Sequence, residues 1–445
     1  MNVVNLMKWK PAQRDAVLKE LRQRQGENDR MVEDVVRKII ESVRDGGDES
    51  LLAFTEQFDQ AVLTADTLRV TEVEMEDAWQ AIDEPYRAAL EKASVMIRDF
   101  HEKQRQKSWF DNPDHGIWLG QKVTPLDIVG VYVPGGKAAY PSSVLMNVLP
   151  AAVAGVGRIV MVTPPGATGE INPVILAAAK VAGVTEIYKA GGAQAVAALA
   201  YGTETIPRVD KITGPGNQYV AMAKRLVFGQ VDIDMIAGPS EILVLADDTA
   251  DPAFVAADML SQAEHDEMAS AVCITESKAL AEAVSWELEE QIKKLDREDI
   301  ARESLNRFGG IWITDSLNDA VELVNDLAPE HLELCVKNPF ELLPSIRHAG
   351  AIFIGNYSPE PLGDYLAGPN HVLPTGGSAR FSSALSVDDF IKKSSLIYYS
   401  RQALMNVSEE IMLLADREGL QAHRHAVEIR RAEDRSQSTE YRKSR

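Results

Sequence analysis

From Leu126 onward the chain alternates short apolar runs that end in glycine or proline with alanine-rich stretches of helical spacing, and that rhythm restricts the fold most tightly. DIVGVYVPGG, RIVMVTPPG, TEIYKAGG and DKITGPGN each read as a buried strand closed by a turn, with VLMNVLPAAVAG, NPVILAAAKVAG and AQAVAALAYG as helices between them. Strands alternating with helices predict a parallel sheet covered on both faces. A second round follows Gly238-Pro239-Ser240: EILVLAD, ASAVCITE, GGIWITD, LELCV and AGAIFIG are strands, and DPAFVAADMLSQAEH, KALAEAVSWELEEQIKKL and SLNDAVELVNDL are helices. Two tandem α/β units are therefore expected, although no residue-level repeat links them.

The ends have another texture. Residues 1–120 are charged and helix-patterned, with Gly46-Gly47 punctuating two helices in MVEDVVRKIIESVRDGGDESLLAFTEQFD. From about Ala384 the pattern is helical again, and EDRSQSTEYRKSR reads as a solvated or disordered tail. The division predicted is 1–120 helical, 121–238 first α/β domain, 239–383 second α/β domain, and 384–445 helical segment and tail; at 445 residues one core would not suffice. A net charge of -21 argues against a nucleic-acid partner, which needs a basic stripe. Cys273 and Cys335 lie in the apolar runs AVCIT and LELCV, so they read as small core residues in a reducing compartment. The start MNVVNLMKWKPAQRD has no apolar stretch of signal-peptide length, and no run approaches the roughly 20 apolar residues of a membrane helix. A cytoplasmic protein with no membrane partner is expected.

Ligands of open α/β sheets bind beyond the carboxyl ends of the strands. The turns Tyr132–Gly136, Gly191–Gln194 and Gly214–Asn217 fall there. Glycines in such turns let the backbone approach a pyrophosphate at a helix N-terminus. None completes G-x-G-x-x-G, so nucleotide binding and plain strand-to-helix turns both remain open.

Eight histidines are unevenly placed. His265, His331, His371 and His423 sit in polar turns of the C-terminal half, each near an amide or carboxylate: Gln262 and Glu264, Glu330, Asp364, Glu418. Imidazole, carboxylate and amide groups together suit a borderline metal ion or a proton-transfer site. Gln262 and His265, three apart, share a helix face that either grips a metal or ends the helix in solvent. Glu330 and His331 follow Pro329, as an acid–base pair at a sheet edge or as a helix stop with a capping charge. Asp364 and His371 lie in the glycine-rich loop GDYLAGPNHVLPTGG after a strand, where functional loops occur. His101, His115, His348 and His425 read as surface or capping residues. The pattern suggests an enzyme with a metal near its chemistry.

Taken in order, GVYVPGGKAAYPSSVLMN, GGAQAVAALAYGTETIP, DKITGPGN, AGPSEILVLAD, LSQAEHD, APEHLE, GDYLAGPNHVLPT and EGLQAH closely resemble the histidinol dehydrogenase family, from about residue 30 to 428. The resemblance implies two tandem incomplete Rossmann-like domains with parallel sheets, plus helical terminal segments exchanged across a homodimer. It implies zinc-dependent oxidation of L-histidinol to L-histidine through histidinaldehyde, with two molecules of NAD used in succession in the last steps of histidine biosynthesis. Gln262, His265, Asp364 and His423 match the zinc ligands, His423 coming from the partner subunit. Glu330 and His331 match the acid–base pair; Ser240, His371 and Glu418 match further substrate contacts, beside the zinc ligands; Tyr132, Gln194 and Asn217 match NAD contacts. On this reading His331 takes the hydroxyl proton and Glu330 activates the water that hydrates the aldehyde. Two rivals differ in what they need: a dehydrogenase of another alcohol would use the same scaffold, whereas a zinc hydrolase would not need NAD. A non-catalytic metal or nucleotide binder leaves the acid–base pair without use.

Overall fold

Valine, isoleucine and leucine runs without polar interruption become strands only where both sheet faces are covered. The computed structural model, which describes residues 4–9, 29–135 and 140–431, contains two such sheets. The first runs Glu186–Lys189, Arg158–Thr163, Ile128–Tyr132, Lys211–Thr213, Asp232–Ile233 across its width, all parallel. The second runs Leu6–Lys8, Gly310–Ile313, Ser270–Thr275, Glu241–Ala246, His331–Cys335, Ala351–Ile354, also all parallel. Leu6–Lys8 apart, both sheets place their strands in the same order along the chain: third, second, first, fourth, fifth. The repeat that the residues conceal is a repeat of topology. In each sheet the chain reverses its direction of travel between the first and fourth strands, which opens a crevice there.

Burial explains the composition. Glu241–Ala246, Ser270–Thr275 and His331–Cys335 are buried at every position, and each fully buried Val, Leu or Ile contributes roughly 1.5–3 kcal/mol. Helix Gly192–Tyr201 buries everything from Ala193 to Ala200. It packs in one cluster with strand residues Val160 and Ile212 and with Val36, Ile39 and Val43 of the helix Asp29–Asp59. Alanine suits an element covered on two sides, because it lets its neighbours approach. The helix Asp29–Asp59 breaks at Gly47 (φ 55, ψ -135), the punctuation expected from Gly46-Gly47.

The chain divides into two units, one comprising residues through Arg105 with Pro125–Phe390, the other Gln106–Thr124 with residues from Ile391 onward. The second unit has a sheet ordered Ile391–Tyr399, Ile117–Pro125, Trp109–Asp114, the last two antiparallel, and the helix Arg401–Arg417 followed by a helical run over 421–431. The terminal segments are thus largely helical but also carry strands, which the helical patterning of 1–120 and of 384 onward does not predict. The reasons are local: LMK is too short to register and gains its partners from an existing edge, WFDNPD contains a proline, and IKKSSLIYY leaves most of its residues exposed. Gly136 and the segment EDRSQSTEYRKSR lie outside the described residues. No helix among the described residues is long and apolar enough to cross a membrane. Cys273 and Cys335 are free and buried, as expected.

Candidate active site

Glu330 and His331 meet at the amino end of the second sheet, not beyond its carboxyl ends. His331 opens its strand alongside Ile242 of the neighbouring strand. The Glu241 backbone serves both residues: its N–H donates to Glu330 Oε2 at 2.8 Å, and its carbonyl accepts from His331 Nδ1 at 2.9 Å. A carbonyl can only accept, so Nδ1 carries the ring proton and Nε2 presents a lone pair. That Nε2 is buried and has no hydrogen-bond partner. His331 is 4% and Glu330 7% exposed. Burial pushes the Glu330 carboxyl well above the usual carboxylate range, against the Glu241 N–H and helped by Asp364 and Glu360. The same burial holds the His331 ring below the ordinary imidazole range, opposed by Asp364.

The remaining donors come from two helix ends. Helix Pro252–Ala263 starts at its Asp251 cap with Pro252 next and runs back to the amino edge, carrying Gln262 in its last turn and His265 just beyond. Gln262 is 1% exposed with neither amide atom partnered. Asp364 lies on the short helix Glu360–Tyr365, four residues from Glu360 and on the same face. Glu360 is 2% exposed, and its Oε1 lies 3.9 Å from His331 Nε2; Ser261 Oγ donates to its Oε2 at 3.2 Å. Burial, then the neighbouring Asp364 carboxylate, raises the Glu360 carboxyl. His331, Glu360 and Asp364 offer ligand atoms within 4.8 Å of one another. His265 and Asp364 both act electrostatically on His331 and His371, which sets these four side chains in one neighbourhood.

His371 presents a buried, unpartnered Nε2. Its neighbour Asn370 is 4% exposed and pins the loop, donating to Met146 O at 2.6 Å and accepting from Val372 N at 2.9 Å. Asn370 also approaches His101, which is fully buried rather than on the surface as its charged surroundings suggest. The reason is spacing: His101 continues the inward stripe Leu90, Ala93, Ser94, Ile97 of its helix. Ser240 precedes Glu241, and its carbonyl accepts from Ser270 N at 2.9 Å.

The first sheet gathers the other expected contacts at its carboxyl edge. Tyr132 ends the first strand of the sheet, its hydroxyl accepting from Gly192 N at 3.1 Å, and burial pushes its pKa up to about 12. Gln194 folds back over Gly192, is 1% exposed and has both amide atoms unpartnered. Asn217 is exposed and caps the helix Gln218–Val227, accepting from Tyr219 N at 3.0 Å and Val220 N at 3.2 Å.

This arrangement can be set against known proteins. The histidinol dehydrogenase profile matches residues 22–431. A histidinol dehydrogenase of Halalkalibacterium halodurans is 57% identical over 405 residues, 91% of this chain and 95% of that one. One from Geobacter sulfurreducens is 57% identical over 420 residues, 94% of this chain and 97% of that one. The chain belongs to the histidinol dehydrogenase family. A crystal structure of histidinol dehydrogenase from Elizabethkingia anophelis superposes with a TM-score of 0.91 at 37% identity, covering 97% of this chain and 99% of that one.

Within the histidinol dehydrogenase frame the donors fit a borderline divalent cation: an orphaned amide at Gln262, imidazole at His265 and a carboxylate at Asp364. The other two expected residues belong to the second unit: Glu418 ends the helix Arg401–Arg417 and His423 lies in the run over 421–431, both exposed. Glu360 was missed in the sequence because SPEPL reads as an ordinary helix start; its spacing of four from Asp364 was the available signal. Glu333, whose pKa is raised to about 10 by burial and by the neighbouring Asp258, accepts from Glu360 N at 2.8 Å through its Oε1.

Proposed function

We propose that this chain oxidises L-histidinol to L-histidine through histidinaldehyde in two successive transfers of hydride to NAD, the final steps of histidine biosynthesis, as a zinc-dependent cytoplasmic homodimer. The observation that carries the reading is the buried pair Glu330 and His331, tied to one Glu241 peptide unit beside an unpartnered Gln262 amide. Gln262, His265, Asp364 and a second copy's His423 would hold zinc, which supplies a fixed positive charge that orients the imidazole and amine of histidinol and stabilises negative charge on the reacting oxygen. NAD, against Tyr132, Gln194 and Asn217, is the hydride acceptor.

The chain's own groups do the proton work. His331 takes the hydroxyl proton at Nε2, since Nδ1 is committed to the Glu241 carbonyl. Glu330 has one oxygen held by the Glu241 N–H, which leaves the other to activate the water that hydrates the aldehyde. A carboxyl pushed upward by burial is a stronger base once ionised, which suits that task. Glu360 shares a helix face with Asp364 and adds a second carboxyl beside His331 Nε2. Ser240, His371 and Glu418 contact the substrate, and enclosing the aldehyde between steps limits side reactions.

The second unit supports the dimer. Trp109, Phe110, Ile397, Tyr398, Leu413 and Leu414 are between 51% and 74% exposed, a density of large apolar side chains that marks an interaction surface. A panel of amino alcohols offered with NAD tests the substrate: NADH formation with L-histidinol far above the other alcohols is expected. Preference for a different alcohol would refute the assignment.

A further inference from the structure

Two charged side chains that the proposed chemistry does not use are buried at the carboxyl edge of the first sheet. Lys224 lies in the helix Gln218–Val227 and Asp234 just past the strand Asp232–Ile233. They form an ion pair whose side chains are only 3% and 1% exposed. Both also hydrogen-bond one residue, Gly214. Lys224 Nζ donates to the Gly214 carbonyl at 2.9 Å, and Gly214 N donates to Asp234 Oδ2 at 2.8 Å. Asp234 Oδ1 also accepts from Met235 N at 2.6 Å. Both polar atoms of Gly214 are thus held by side chains rather than by a strand.

Gly214 itself stands where the chain must pass closest to the neighbouring strand. Its φ is +115°, and an added Cβ would lie 2.0 Å from the Tyr132 carbonyl oxygen. The turn is therefore pressed onto the end of Ile128–Tyr132, in the crevice between the first and fourth strands of the sheet. Three residues later Asn217 caps the helix that returns Lys224 to Gly214. A buried ion pair adds little stability over an apolar pair of the same shape, whereas this one fixes the position of a single peptide unit.

We propose that the Lys224–Asp234 pair is a positioning device for the dinucleotide site: it holds the turn Gly214–Asn217 against Tyr132 before the cofactor arrives, so that NAD meets a rigid backbone instead of ordering one. The proposal rests on the reading of Tyr132, Gln194 and Asn217 as NAD contacts. Neither charge touches the cofactor, because each is committed to the other and to Gly214. Preorganisation of this kind acts on affinity, by removing the cost of ordering the turn on binding.

The double variant Lys224→Met/Asp234→Asn removes both charges together and leaves an amide oxygen for the Gly214 N–H. The device predicts a Kd and a KM for NAD raised about tenfold, read by calorimetric titration and by kinetics, with the KM for histidinol and the zinc content unchanged. A folded double variant with unchanged NAD affinity overturns it. Should that variant not fold, hydrogen exchange of the Gly214 amide in the unmodified protein decides: protection already present without NAD supports the device, and protection gained only on adding NAD overturns it. Failure of the unmodified protein to bind NAD at all is a different result, since it removes the site on which the device depends.

Discussion

At the scale of single residues, burial moves Glu330 and His331 in opposite directions, in keeping with the division of work proposed for them. The carboxyl rises and the imidazole falls, which favours the neutral ring whose Nε2 lone pair can accept a proton. Replacing Glu330 by Gln keeps the hydrogen bond from Glu241 N but removes the base. Oxidation of added histidinaldehyde should then fall by about 100- to 10,000-fold, and more than oxidation of histidinol measured in single turnover; equal losses would contradict the division. Away from the Glu330–His331 pair, Asp59 gives a stability prediction. Burial pushes its carboxyl up to about 6 from 3.8, so the folded state binds this proton more tightly than the unfolded state. The penalty is absent below the unfolded value, grows as pH rises between the two, and is complete above about 6. Asp59→Asn should therefore stabilise the protein by roughly 1–2 kcal/mol at about pH 8, after discounting for partial exposure, and by less at about pH 5. Thermal unfolding at the two pH values measures this, and an equal gain at both would refute it.

Elements show where glycine is indispensable. Gly47 breaks the helix Asp29–Asp59 with φ 55, and a Cβ there would meet the Glu204 carboxylate at 2.3 Å. That carboxylate already accepts from Asp48 N at 2.7 Å. Gly47→Ala should cost roughly 1–3 kcal/mol, seen as a lower Tm with the KM for histidinol unchanged; a Tm equal to that of the unmodified protein would contradict the account of the kink. This break was legible in the sequence as Gly46-Gly47, as were the central strands, because continuous burial leaves a continuous apolar run. Leu6–Lys8 and Ile391–Tyr399 were not legible. The first depends on an edge supplied by residues some 300 positions away, and the second is too exposed to need an apolar run. At the site, Glu330, His331, Asp364 and His371 announced themselves by residue type in segments whose sequence reads as turns. Glu360, Asn370 and His101 did not, since their part is to hold other side chains and only the fold brings them there.

The whole molecule places Gln262, His265 and Asp364 in one unit and Glu418 with His423 in the other. If His423 completes the metal site of a second copy, His423→Ala should lose zinc, measured by elemental analysis. Mixing it with a Glu330→Gln chain should restore part of the activity, because one site of the mixed dimer keeps every residue intact. No rescue in the mixed dimer would mean that each chain completes its own site. On the proposed reading the topological repeat gives the two sheets different duties: the first would lend its carboxyl edge to the dinucleotide, the second its amino edge to metal and proton transfer. The most direct test of that account is the number of NADH molecules formed per L-histidinol consumed, followed before chelation, after it, and after zinc is returned. The account predicts two NADH for each histidinol, loss of the reaction on chelation and recovery with zinc; one NADH with aldehyde accumulating, or turnover indifferent to chelation, would contradict it.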